Sequence, residues 1–171
     1  MVKYNTKNPK KVKQGKKNRA AGARFEKKVR EDLESKGWMV SKWQNNVEFK
    51  KWKEKDPTGY EHQVYDITGK EVIKGKCIPA KMGRFRTNQS GFPDFIAYQL
   101  VEDYEVFEEE YNIIFVESKS NGYLNPEEKE KARWYLDNNY CSKFLIAKKK
   151  KVGRKIEVEY VDFEEKYGKE K

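Results

Sequence analysis

The sequence has few of the residues on which most metal and nucleophilic sites depend. Its 171 residues include two cysteines, Cys77 and Cys141, and one histidine, His62. A structural zinc site needs four Cys or His ligands, which this chain does not have. The sequence also lacks the G-x-S-x-G, G-x-x-x-x-G-K-[ST] and G-x-G-x-x-G motifs of serine hydrolases, phosphate-binding loops and dinucleotide-binding folds. If the protein is an enzyme, carboxylates and lysines must carry its chemistry.

Long apolar runs are also absent. No stretch approaches the roughly 18 apolar residues of a membrane span, and the lysine-rich start lacks the apolar segment of a secretory signal. We therefore expect a cytoplasmic protein with no membrane partner, in which both cysteines are buried thiols rather than a disulfide. Hydrophobic residues make up only 36% of the chain, but aromatic residues make up 14%, which suits one modest core.

Positive charge is concentrated at the start of the chain. The formal net charge is +10, and residues 1–20 contain eight basic side chains and no acid. We predict a disordered basic arm over 1–20 that binds nucleic acid by displacing counterions from the phosphates. The alternative for this segment is a solubilising tail. We expect a single domain over 21–165 and a polar tail over 166–171.

Hydrophobic periodicity predicts the first helix and strand. Apolar residues recur every four positions and indicate an amphipathic helix over 24–35, followed by a strand over 38–43. These apolar residues are Phe25, Val29 and Leu33. Glu26 flanks their stripe, so its carboxylate leans toward the core side of the helix.

Residues 44–90 form an insertion before the next strand. The segment is polar, and only the alternation of residues 63–66 and 71–73 about Thr68-Gly69 indicates structure, namely a small hairpin. We expect the remainder to be loop.

The second half of the chain reads as alternating strands and helix. Strands are predicted over 92–100 and 112–119, a helix over 126–138 and a short strand over 144–147. Residues 112–147 then form a βαβ unit with two parallel strands. A last strand over 156–160 is predicted at the edge of the sheet.

Three charged residues stand at the ends of two of these strands. Glu117 and Lys119 are two apart on one strand, so their side chains project from the same face at its C-terminal end. An E-x-K pair alone is a common surface feature. Asp94, however, opens the neighbouring strand, and two carboxylates at one sheet edge repel unless a divalent cation lies between them.

These residues resemble a known signature. Pro93-Asp94 followed by Glu117-Ser118-Lys119 resembles the PD-(D/E)-x-K signature of the restriction-endonuclease-like nuclease superfamily. With further motifs in the same order, the chain looks most like the VRR-NUC-type branch and also resembles archaeal Holliday junction resolvases, over about residues 24–147. The further motifs are Glu26, Trp43-Gln44-Asn45-Asn46, Gly91-Phe92-Pro93-Asp94 and Leu124-Asn125-Pro126-Glu127-Glu128.

The resemblance implies an α/β fold and a hydrolytic activity. The expected core is a central mixed β-sheet flanked by helices in the order αβββαβ, with the hairpin and loop region inserted. Asp94, Glu117 and the Ser118 carbonyl would hold Mg²⁺ or Mn²⁺, with Glu26 assisting, since these are the hard oxygen ligands that Mg²⁺ prefers. Lys119 would orient the attacking hydroxide or stabilise the transition state.

One position departs from the pattern. The resembled branches often have Gln near the start of the helix after the E-x-K strand, where this chain has Glu128. Glu128 is therefore either a member of the catalytic site or a helix-capping residue, with Asn125 as N-cap and Pro126 at the first helical position.

We therefore predict a metal-dependent DNA endonuclease. Two of its properties stay open: specificity for structures such as junctions or flaps, in replication, repair or recombination, and assembly as a homodimer. Four residues are candidate contacts to DNA phosphates: Gln44, Lys81, Arg84 and Arg86. A non-catalytic nucleic-acid-binding protein on the same scaffold is the alternative. A third reading, a basic domain in which the motif is coincidental, requires Asp94 and Glu117 to lie far apart.

Overall fold

The computed structural model describes residues 9–80, 91–101 and 110–168, and it has an α/β fold. A five-stranded mixed sheet with helices packed on its faces is accompanied by two small two-stranded sheets. In chain order the elements are α1 (Pro9–Ser35), β1 (Met39–Lys42), β2 (Asn45–Lys51), β3 (Lys53–Lys55), β4 (Glu61–Gln63), β5 (Ile73–Pro79), β6 (Phe95–Val101), β7 (Glu110–Ser118), α2 (Pro126–Asp137), β8 (Lys143–Val152), β9 (Lys155–Asp162) and α3 (Phe163–Tyr167).

The main sheet has the strand order β1-β6-β7-β8-β9. Strands β7 and β8 are parallel and joined through α2, and every other neighbouring pair is antiparallel. The predicted βαβ unit and the last strand at the sheet edge are therefore confirmed. Strand β8 is longer than predicted because it continues beyond Ala147 as a hairpin with β9, and the pairing runs from Leu145 opposite Asp162 to Val152 opposite Lys155.

Strand β7 divides the core into two layers. Ile114 and Val116 face α1, whose Phe25, Val29 and Leu33 stripe is buried on that side, as predicted. Phe115 faces the other side, where it packs with Tyr135 of α2. A central strand covered on both faces has no solvent side, which explains its continuous apolar run.

The prediction of a disordered arm over 1–20 is wrong for residues 9–20, which form the beginning of α1. Lysine, arginine, glutamine and alanine favour helix, and adding residues to an existing helix avoids the cost of nucleation. The packed second half of α1 supplies that nucleus. Residues 1–8 lie outside the described part of the chain.

The insertion also differs from its prediction. Instead of loop around one hairpin, β2 pairs with β5 and β3 pairs with β4, both antiparallel. The predicted turn exists, since Asp66 accepts the Thr68 and Lys70 N–H groups and Tyr65 bridges to Glu71. The strands were missed because most of their residues are polar or charged, and because β2 and β5 are more than 20 residues apart in sequence.

The predicted tail begins too early, because α3 includes Lys166 and Tyr167. Asp162 caps this short helix, Phe163 is fully buried, and the Tyr167 hydroxyl accepts the Leu124 N–H. The two cysteines are free thiols, with one buried and one half-buried. None of the helices in the described ranges combines the length and the apolar character needed to cross a bilayer.

Candidate active site

The candidate site lies at the edge of the main sheet where β6 begins and β7 ends. The Asp94 N–H donates to Oε2 of Glu117 at 3.0 Å, and the Ser118 N–H donates to Oδ2 of Asp94 at 3.0 Å. Asp94 and Glu117 are thus in direct contact. This finding contradicts what the third reading, a coincidental motif, requires.

Lys119 links the end of β7 to the first turn of α2. Its Nζ lies 3.1 Å from Oε1 of Glu117 and 2.6 Å from Oε1 of Glu128. The other oxygen of Glu128 accepts the Asn125 N–H, and the Asn125 side chain accepts the Glu128 N–H, which completes the predicted capping box. The two readings of Glu128 are therefore compatible, since it caps α2 and contacts Lys119 with different oxygens.

A second lysine, which sequence reasoning missed, lies on the α1 side of the site. The Nζ of Lys42 lies 2.5 Å from Oε2 of Glu26 and 4.0 Å from Oδ1 of Asp94. Lys42 is the last residue of β1 and pairs with Phe95, so it stands beside Asp94 only because β1 and β6 are antiparallel neighbours. The one signal in the sequence was its position at the end of a predicted strand that follows the helix of Glu26.

Burial and like charges raise the pKa of both carboxyl groups above its ordinary value. Burial raises the pKa of Glu117 to about 8, and the Asp94 charge adds to this effect while Lys119 opposes it. Burial also raises the pKa of Asp94, with a further contribution from Glu26, against the Ser118 N–H bond and Lys42. Although burial disfavours the Lys119 ammonium, the charges of Glu117 and Glu128 raise its pKa overall. Lys119 therefore stays charged at neutral pH.

The charges at this edge are unbalanced when all groups are ionised. Four carboxylates face two ammonium groups, which leaves a formal charge of −2. The six residues are Glu26, Lys42, Asp94, Glu117, Lys119 and Glu128. One divalent cation matches that deficit. Mg²⁺ commonly binds one or two carboxylates and retains several waters, so Asp94 and Glu117 together satisfy its usual requirement.

Ser118 offers a third oxygen at the same place. The Lys119 N–H bonds to β8 through Ala147, so the N–H and C=O of Ser118 point the opposite way, toward Asp94. The Ser118 hydroxyl is buried and has no hydrogen-bond partner among the described residues. Within those residues no group of three or more His, Cys, Asp or Glu side chains is assembled as a metal site. Any ion held here would therefore depend on backbone oxygen and water as well as on Asp94 and Glu117.

The loop that carries Asp94 is fixed against α2 and the end of β1. The Tyr135 hydroxyl donates to the Phe92 carbonyl at 2.9 Å and accepts from Nε1 of Trp43 at 3.1 Å. Gly91 is equally constrained, because a Cβ atom there would lie 2.2 Å from the Trp43 carbonyl oxygen. These contacts position Asp94 beside Glu117.

Replacing Tyr135 with Phe should lower the free energy of unfolding by about 2–3 kcal/mol, since it leaves the part-buried Trp43 N–H and the buried Phe92 carbonyl without this partner. Urea unfolding measures this change. Tyr60→Phe is the matched control, because the Tyr60 side chain is 78% exposed. Equal unfolding midpoints for the two variants would contradict a bridging role for the Tyr135 hydroxyl.

The candidate phosphate contacts are described only in part. Gln44 is exposed between β1 and β2, and its carbonyl accepts the Ala80 N–H at 2.8 Å. Gly91 approaches the Gln44 backbone as well. Ala80 and Gly91 therefore both lie beside Gln44, at the site edge. The other three candidates lie outside the described residues: Lys81, Arg84 and Arg86.

Comparison with known proteins identified no relative of this chain. No protein-family model matches the chain, and neither the curated proteins nor the solved structures contain a significant match. The functional interpretation therefore rests on the residues and the geometry of this chain.

Proposed function

We propose that the protein is a metal-dependent endonuclease of the PD-(D/E)XK type that hydrolyses phosphodiester bonds in DNA. The observation that carries the proposal is the contact of Asp94, Glu117 and Lys119, which come from two strands and meet at one sheet edge. The order α1, β1, β6, β7, α2 and β8 is compatible with the αβββαβ core of restriction-endonuclease-like enzymes.

Asp94, Glu117 and the Ser118 carbonyl would hold Mg²⁺ or Mn²⁺. When bound, such an ion lowers the pKa of a coordinated water and offsets the charge that grows on the scissile phosphate. Glu26 is close enough to Asp94 to influence its pKa and would accept a hydrogen bond from a water at the site. The Lys42 ammonium, now shared by Glu26 and Asp94, would turn toward Glu26 as Asp94 takes up its ligand role.

Lys119 would act as a cation rather than as a base. Its two carboxylate partners hold the ammonium in place and keep it protonated. A fixed ammonium donates hydrogen bonds to the attacking hydroxide or to a non-bridging phosphate oxygen, and it stabilises the negative charge of the pentavalent transition state. Glu128 supports this role by positioning the Lys119 side chain.

One observation favours the alternative of a non-catalytic nucleic-acid-binding protein. Lys42 bridges Glu26 and Asp94 with its own positive charge, so these two carboxylates are partly neutralised without a metal. A protein that only binds DNA would retain this arrangement permanently. Its affinity would fall with salt and would be indifferent to EDTA.

Incubation of the wild-type protein with supercoiled plasmid separates the two functions. The nuclease proposal expects nicking or linearisation with Mg²⁺ or Mn²⁺, a complete stop with EDTA, and nicks that ligase reseals because they carry a 5′-phosphate and a 3′-hydroxyl. Intact plasmid with both metals, together with retained DNA binding in EDTA, would establish the binding function instead. A panel of four-way junctions, flaps and linear duplex then identifies the preferred substrate.

A further inference from the structure

The first helix extends beyond the sheet at the edge that carries the candidate site. The N-terminal extension of α1, residues 9–24, contains seven basic side chains and no acidic one. These are Lys10, Lys11, Lys13, Lys16, Lys17, Arg19 and Arg24. Apart from Gly15, Ala21 and Gly22, the described side-chain positions of the extension are exposed.

The direction of the extension follows from the contacts of α1. The helix ends at Ser35, a tight turn follows, and β1 runs back alongside it until Lys42, the last β1 residue, meets Glu26. Everything N-terminal to Glu26 therefore lies past the end of β1, on the side of the sheet edge where Asp94 begins β6. At this point α1 also contacts the β8–β9 hairpin, since the Lys149 Nζ lies over the Phe25 ring and the Lys28 Nζ donates to the Ile156 carbonyl. The extension therefore leaves the sheet beside this hairpin, at the edge that carries the candidate site.

Basic residues occur on every side of the helix axis, although four of the seven lie within one sector of about 60°. At about 100° per residue, no sector wider than about 100° around the extension lacks a lysine or arginine. A helix that lies on a flat anionic surface needs a single basic face. A helix inserted in the major groove of B-DNA has phosphates on both sides, which suits charges in all directions.

We propose that the N-terminal extension of α1 inserts into the major groove of duplex DNA and fixes the duplex relative to the candidate site. The role of this contact in cleavage rests on the proposed function, whereas the binding of DNA by the extension does not. Because α1 is one continuous helix, this contact is rigidly connected to Glu26. From Glu26 to Lys10 the axis spans about 24 Å, or roughly 7 base pairs of duplex.

Matched charge variants test whether the extension contacts phosphates. Binding is measured by fluorescence anisotropy in EDTA, so no cleavage occurs, with labelled 20-base-pair DNA at several salt concentrations. Lys13→Gln/Lys17→Gln should weaken binding roughly 10-fold and reduce the slope of log K against log salt by about 2. The control Lys36→Gln/Lys143→Gln removes two charges at the opposite end of α1 and of β8. Equal losses for the two pairs would overturn the proposal.

A proline variant tests whether the helix itself is needed. Ala20→Pro keeps every charge but breaks the helix before residue 20, while proline at the first position of the shortened helix leaves the Phe25, Val29 and Leu33 packing intact. Circular dichroism should show the loss of helix and urea unfolding an unchanged midpoint. Binding to DNA should weaken at least 10-fold. Unchanged affinity would show that the charges act as a flexible polycation and would overturn groove insertion.

Duplex RNA of the same length and sequence supplies the last discriminator. The major groove of A-form RNA is too narrow and deep for a helix, so the wild type should prefer DNA at least 10-fold. The preference should disappear in Ala20→Pro. Equal binding of RNA and DNA by the wild type would overturn the proposal. These results are independent of cleavage. If the protein cleaves DNA but its DNA affinity does not depend on the extension, only this inference is refuted. If the extension binds the groove but the protein does not cleave DNA, only the proposed function is refuted.

Discussion

Replacing Asp94 with Asn, or Lys119 with Met, should lower the rate of the proposed Mg²⁺-dependent DNA cleavage by at least about 1000-fold. Asp94→Asn removes the negative charge that would hold the metal ion, and it keeps the side-chain shape and the bond from the Ser118 N–H. Lys119→Met removes the ammonium that would stabilise the transition state. Single-turnover cleavage of a labelled duplex measures both effects.

Two controls keep this result specific to the site. Asp137→Asn and Lys143→Met make the same chemical changes at exposed positions, at the end of α2 and at the start of β8. Both controls should cleave at the wild-type rate. Undiminished cleavage by Asp94→Asn or Lys119→Met would refute the assigned site even if the protein is a nuclease.

The Lys119 variant also needs a check on folding. Removing the ammonium leaves Glu117 and Glu128 without their shared counterion. The double variant Lys119→Met/Glu128→Gln relieves that repulsion while Asn125 retains an amide oxygen partner at the cap. If the single and double variants unfold at different urea concentrations but are equally inactive, the loss of cleavage comes from the missing ammonium and not from unfolding.

Replacing Glu117 with Gln should abolish the proposed cleavage and at the same time stabilise the metal-free protein at pH 8. The Glu117 pKa is about 8 in the folded protein, against 4.5 for an unperturbed glutamate. Between these values the folded state holds a proton that the unfolded chain has released. The free energy of unfolding of the wild type therefore falls as pH rises from about 5 to 8.

The size of this effect follows from the same shift. One pKa unit corresponds to about 1.4 kcal/mol, so the Glu117 contribution to stability lost over this interval is about 4–5 kcal/mol. The amide of Glu117→Gln does not titrate, so its unfolding free energy should fall by about 4–5 kcal/mol less over the interval and keep only the contribution of groups such as Asp94, whose pKa is also raised. Urea unfolding in EDTA at pH 5, 6, 7 and 8 measures both profiles. Parallel profiles for the two proteins would contradict the raised Glu117 pKa.

Metal binding should oppose the loss of wild-type stability that accompanies rising pH. A divalent ion binds the ionised carboxylate, so it must displace the Glu117 proton, and its affinity increases with pH up to about 8. Mg²⁺ or Mn²⁺ should therefore raise the unfolding temperature of the wild type more at pH 8 than at pH 6, and should leave Glu117→Gln unchanged. This readout is independent of DNA cleavage. If neither Mg²⁺ nor Mn²⁺ changes the unfolding temperature of the wild type at pH 8, metal binding by Glu117 is contradicted.

The burial of the Glu117 carboxyl group needs an explanation at this edge of the sheet. Glu117 is only 7% exposed, and a carboxyl group in that position costs stability unless it is neutralised. An amide or an apolar residue would suit a purely structural strand end. A buried Glu117 in contact with Asp94 and Lys119 is the arrangement that a binding or catalytic role predicts.

Local signals in the sequence determined much of this fold. The start of α2 depends on contacts within four residues, Asn125 to Glu128, and the sequence predicted it correctly. The apolar stripe of α1 and the continuous apolar run of β7 likewise predicted correctly that these residues are buried. Strand order then brought Asp94 next to Glu117 and Lys119, as the spacing of the motifs indicated. Short-range hydrogen bonds and periodic burial depend on residues that are close together in the sequence, so both can be predicted from it.

Only the tertiary structure decided the remaining features. Pairing of β2 with β5 joins Lys51 to Ile73 across a long insertion, and its polar strands show no periodicity that a local pattern would reveal. Lys42 enters the site because β1 lies beside β6, and the basic segment becomes a rigid helix because it continues a helix anchored in the core. In each case the free energy comes from contacts between distant segments. The sequence by itself indicated the candidate residues Asp94, Glu117 and Lys119, and the packing of the chain decided which further charges lie beside them.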